Sequence, residues 1–160
     1  MSKLSPYRSL SPERRVALVT HVMKASREGR DAFIQRLVER GGGFRAVTLK
    51  TWPIDKLAKE IVRMKAESSN DELDLLQLLY VDMEPGIQTT FLDAAGVKHD
   101  NGKMPDELEP PYTDADGVKK GVAAVREKHG DEGEHYLRTI TRYSHDGWPG
   151  IGYLVADPTS

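Results

Sequence analysis

The run "SSNDELDLLQLLYVDM", residues 68–83, constrains the fold of this chain more than any other. Leu73, Leu75, Leu76, Leu78, Leu79, Tyr80, Val81 and Met83 leave almost no polar face on a helix drawn through them. A helix that is apolar nearly all round has to be covered by other elements. The spacing therefore predicts a core helix over 70–83, wrapped by the rest of the chain. Ser69 and Glu72 have the spacing of a capping box at its start. The apolar-rich part, residues 73–83, is far too short to span a bilayer.

The segments around it also read as helices. "SPERRVALVTHVMKAS" offers Ser11 as a cap and Pro12 in the first turn, where its missing N–H costs nothing. Val16, Leu18, Val19, Val22 and Met23 fall on one side of that helix, and Arg14, His21, Lys24 and Arg27 on the other. "GRDAFIQRLVERGGG" carries an apolar stripe of Phe33, Ile34, Leu37 and Val38 and should stop at the glycines from 41 to 43. "PIDKLAKEIVRMKAE" places Ile54, Leu57, Ile61 and Met64 at helical spacing. "EPGIQTTFLDAAG" runs a short helix to Gly96. Residues 97–113 form an irregular loop, with Asn101-Gly102 as a turn and prolines at 105, 110 and 111. A closing helical hairpin follows, joined near Gly130. "FRAVTLKTW" reads as a short strand or extended connector, with "IGYLVA" as its weak partner.

These signals predict an all-α protein: one domain over residues 1–160, an irregular, partly orthogonal bundle of about six or seven helices. The chain has 160 residues and no cysteine, so disulfides and thiolate metal sites are excluded. The N-terminus lacks an apolar stretch of signal-peptide length, and no membrane association is expected. A cytoplasmic protein is the expectation.

The net charge of −2 hides an asymmetry. Residues 1–65 carry 15 Lys/Arg against 6 Asp/Glu, and residues 66–160 carry 8 against 19. Such a division points to an anion-binding face in the basic half, or to halves that partly neutralise each other. The candidates for polyanion binding are Arg14, Lys24, Arg27 and Arg30, with Arg36 and Arg40 continuing the charge. Few aromatics interleave with them, so a stacking platform for single-stranded nucleic acid is not expected.

Several catalytic and metal motifs fail on inspection. The glycines at 41–43 follow a helix instead of leading into one, and no Gly-Lys-Ser/Thr ending is present, so they are no phosphate loop. No GxSxG elbow occurs. A calcium loop aligned on Gly117 would place Tyr112 and Ala123 at essential ligand positions, and capping by Thr113 or Asp114 explains the acids better. "GDEGEHYLRTITRYSHDGWPG", residues 130–150, holds His135, His145 and Asp146, with His129 just before it. Without HExxH spacing, and with His135 and His145 roughly 15 Å apart along a continuous helix, these read as a polar helix face. No cofactor or metal is expected. Trp148 and Tyr153, in "DGWPGIGYL", either cover a core edge or serve as an aromatic anchor for a partner.

"FLDAAGVKHDNG" at 91–102, with "HYLRTI" at 135–140 and "WPGI" at 148–151, resembles a pattern in uncharacterised small helical bacterial proteins. That resemblance implies a bacterial helical protein and brings no activity, cofactor or catalytic residue. The preferred expectation is a non-enzymatic interaction or adaptor domain with a protein partner. The alternatives are a nucleic-acid or polyanion binder using the basic N-terminal helices, and a metal-dependent enzyme built on His135, His145 and Asp146.

Overall fold

The computed structural model describes residues 5–41 and 43–155. Those residues are all-α, with eight α-helices and no strand among them. None of these helices is long and apolar enough to cross a membrane. Their contacts group into two compact units, one over Tyr7–Leu75 and the other from Leu76 onward together with the segment ending at Pro6.

The first unit is built on α1 (Pro12–Ala25), α2 (Arg27–Glu39), α3 (Ala46–Leu49) and α4 (Ile54–Arg63). Ser11 caps α1 as expected, accepting from the Arg14 N–H at 3.3 Å, with Pro12 in the first turn. Ser26 then serves two helices. Its N–H closes α1 on the Val22 carbonyl, and its hydroxyl opens α2 by accepting from the Gly29 N–H at 3.0 Å. One residue between two helices forces a corner. The glycine stop after α2 is seen at Gly41, whose φ of +78° suits a residue without Cβ; Gly42 lies outside the described residues. Val19, Met23, Phe33, Ile34 and Leu37 pack with Leu49, Leu57, Ala58 and Ile61 in one buried cluster. The stretch read as a strand or connector, 44–52, instead contains α3. A single helical turn is too short to leave a periodic signal.

Beside this core lies a polar knot. Glu67 is 1% exposed and accepts from the Tyr7 hydroxyl and from Arg8 Nη1 at 3.3 Å. Arg8 also donates to the Glu67 carbonyl at 2.7 Å and lies 3.4 Å from the carboxylate of Glu72. Burial first, and the Glu67 hydrogen bond second, raise the Tyr7 phenol far above its ordinary range and keep it neutral.

The predicted core helix is not one continuous α-helix. It runs as α5 (Ser69–Gln77) and then as a π-helical turn over Leu78–Met83, where the Glu84 N–H reaches the Leu79 carbonyl. The capping box also sits one residue earlier than expected. Ser68 and Asp71 exchange backbone and side-chain hydrogen bonds of 2.8 and 3.2 Å. Glu72 is drawn away to Arg8 instead.

In the second unit, α6 (Pro85–Ala95) packs against α7 (Ala115–Ser144). Gly96, with φ of +76°, ends α6. The loop that follows is tied back to α6: the Thr113 hydroxyl donates to the Ala95 carbonyl at 3.0 Å, and His99 bridges Asp93 and the Gly102 N–H at 2.6 and 3.0 Å. Asp114 caps α7 by accepting from the Gly117 N–H at 2.8 Å. Gly130 breaks α7 with φ 57° and ψ −128°. A Cβ on Gly133 would lie 2.8 Å from the Val125 carbonyl oxygen, although eight residues of straight helix would separate them by about 12 Å. The chain therefore doubles back at Gly130. The short α8 (Ile151–Leu154) occupies the segment read as a weak strand; Ala156, the last residue of "IGYLVA", lies outside the described residues.

Gly121 marks a close approach of α7 to α6. A Cβ there would meet the Phe91 ring at 2.8 Å and the Phe91 carbonyl at 3.2 Å, and Phe91 is fully buried. Gly121→Ala is expected to destabilise by about 1–3 kcal/mol through overpacking. Gly86, in the first turn of α6, has no atom within 4 Å of the position a Cβ would take, so Gly86→Ala should be neutral or stabilising by up to about 1 kcal/mol. Chemical denaturation of the two variants side by side checks both signs.

Candidate anion site at the α1–α2 corner

The double use of Ser26 decides where the basic residues go. Lys24 stands in the last turn of α1, and Arg27 and Arg30 in the first turns of α2. The corner brings these three together with Lys50, just after α3, and Ile54, at the start of α4. With Met23 and Asp31 they line one open cleft of about 520 Å³. The N-terminus of α2 adds the partial positive charge of its unsatisfied N–H groups to that corner.

Four cations thus face one carboxylate. Arg30 is fixed in place: its Nη2 donates to the carbonyls of Lys50 at 3.0 Å and Trp52 at 3.3 Å. Its Nε is buried and has no hydrogen-bond partner among the described residues. Lys24, Arg27 and Lys50 are exposed, and no ion pair engages them among the described residues. Met23 is buried and Ile54 half-buried, so part of the lining is apolar.

Three other arginines of this unit are engaged elsewhere. Arg36 pairs with Asp71, Arg63 with Glu60, and Arg40 donates to the Lys65 carbonyl at 2.6 Å. Arg14, grouped with Lys24 from the shared polar face of α1, is not part of the cleft lining. Ten residues along a helix separate the two by about 15 Å. Lys50 and Ile54 escape a sequence reading because they reach the corner through a chain reversal that no local pattern records.

The histidine-rich stretch is dispersed. His135 is 5% exposed, which corrects its reading as part of a polar surface face. Its ring nitrogens meet the Tyr80 hydroxyl and the Pro6 carbonyl. A carbonyl only accepts, so Nε2 carries a proton, and in the neutral ring Nδ1 accepts from Tyr80. His145 and Asp146 are exposed in a single 3-10 turn, His145–Gly147. No three His, Asp or Glu side chains gather as a metal-binding group among the described residues. The signal for His135 is a buried hydroxyl partner 55 residues away, which its own neighbours do not reveal.

Trp148 and Tyr153 part company. Trp148 is 3% exposed, edge-on to Phe91 at 4.8 Å and tilted against Tyr112 at 5.1 Å, so it is a core residue and not an open anchor. Tyr153 is 97% exposed. A single exposed aromatic is ordinary on a protein surface and defines no patch.

No family model, curated protein or solved structure matches this chain.

Proposed function

We propose that this protein is a non-enzymatic binding protein that takes an anionic group of its partner into the cleft at the α1–α2 corner. One observation supports this reading above the others: Lys24, Arg27, Arg30 and Lys50 line one cleft against the single carboxylate of Asp31, while Arg36, Arg40 and Arg63 are engaged within the chain. Cations that outnumber the counter-charge around a concave surface attract anions and hold them by charge-assisted hydrogen bonds. Arg30, already held by two carbonyls, loses little side-chain freedom on binding.

The reading is tested by thermal unfolding with pyrophosphate. A ligand at about ten times its dissociation constant adds roughly 1.4 kcal/mol to the folded state, a rise of a few degrees in a chain of this size. The wild type should show that rise, and the double variant Lys24→Gln with Arg27→Gln should lose it. An equal rise in both would place the anion elsewhere and contradict the proposal.

A further inference from the structure

We infer that the ligand of this cleft is a small organic phosphate monoester carrying an apolar group, and not a polynucleotide strand. The inference rests on the reading of the α1–α2 corner as an anion site and concerns what surrounds the charge. The volume of about 520 Å³ falls in the range of small-molecule sites and far exceeds what one inorganic anion fills. Met23 and Ile54 supply an apolar wall beside the cations. Four cations against one carboxylate suit a dianionic phosphate better than a single carboxylate. The guanidinium fork of Arg27 matches phosphate oxygens in pairs, and Arg30, held by the Lys50 and Trp52 carbonyls, adds its charge beside it.

The same surroundings disfavour a strand. A polynucleotide is held by a track of phosphate contacts, commonly about 6–10 of them, or by bases stacked on aromatic rings. No aromatic residue lines the cleft. Of the cations that would extend a track along α2, Arg36 is neutralised by Asp71 and Arg40 is drawn toward the Lys65 carbonyl. Asp31 places a negative charge in the lining, where it repels the next phosphate of a chain and accepts from a hydroxyl or amine of a small ligand.

Titration calorimetry of the full chain with three probes separates the cases: inorganic phosphate, phenyl phosphate and a twelve-residue thymidylate. Phenyl phosphate should bind about tenfold more tightly than inorganic phosphate, the effect of covering part of a ring with apolar surface. Ile54→Asn should bring the two phosphates to equal affinity, and because Ile54 also packs against the buried cluster, circular dichroism of the variant verifies its fold. Arg27→Gln should weaken both. Equal affinity for the two phosphates overturns this inference while leaving the anion site standing. Binding of neither overturns the underlying reading as well. Thymidylate binding more tightly than phenyl phosphate at physiological salt overturns it in favour of a strand.

Discussion

Phe91→Ala is expected to lower the melting temperature by roughly 10 °C, corresponding to a loss of about 3–5 kcal/mol. Phe91 is fully buried on α6, with its ring edge-on to Trp148 at 4.8 Å and at 65° to Tyr136 at 5.9 Å. It also fills the space that Gly121 leaves open on α7. Truncation removes the apolar transfer energy of the ring, breaks both aromatic contacts and leaves a cavity. The surroundings have little freedom to collapse, because Trp148 packs against both Phe91 and Tyr112. Phe91→Leu should cost about half as much. Thermal melts followed by circular dichroism check the order of the two variants. A loss below about 1 kcal/mol for Phe91→Ala would show that this ring does not organise the second unit.

Arg8→Met should be as severe in the first unit, at about 3–5 kcal/mol. The methionine replaces the aliphatic part of the side chain but none of its charge. Two carboxylates, Glu67 at 1% and Glu72 at 8% exposure, would then lose the guanidinium that lies beside both. Removing one member of such a cluster costs more than the cluster contributes, since the buried carboxylates keep their charge and lose a counter-charge. Adding Glu67→Gln to Arg8→Met should therefore recover part of the loss, and the double-mutant cycle measures how much. Additive losses would mean that Arg8 acts through packing alone.

The helix starts and stops that depend on local chemistry are readable from residue order. Ser11 before Pro12, the glycine after Val38–Arg40 and Gly96 after Ala95 each satisfy or end a helix by means of their own atoms. What escapes depends on partners far along the chain. Glu72 has the spacing of a capping residue after Ser69, yet it sits with Arg8, and Ser68 with Asp71 makes the cap. His135 is buried by Tyr80 and Pro6, neither of which is near it in sequence. The single turns α3 and α8 are shorter than the stretch needed to reveal a helical period. The apolar run at 73–83 foretells burial but not the π-helical turn that divides it, because uniform apolarity carries no phase.

The site divides in the same way. Lys24, Arg27 and Arg30 stand out as a basic cluster because they are close in sequence, and the cleft contains all three. Arg14 joins them in a helical projection because such a projection keeps angle and discards distance along the axis. A charge count alone does not separate free arginines from paired ones. Arg36 is neutralised by an aspartate 35 residues away, a pairing that its own neighbours in sequence do not reveal.

The central claim is that anions bind at the α1–α2 corner, and amide chemical-shift mapping tests it most directly. Pyrophosphate titrated into isotopically labelled protein at low salt should shift the amides of residues 23–31, 50–52 and 54, saturably and with one dissociation constant. In the Lys24→Gln, Arg27→Gln variant those shifts should be lost. Shifts centred on the loop at 97–113 or on residues 126–134, or no saturable shifts at all, would contradict the account.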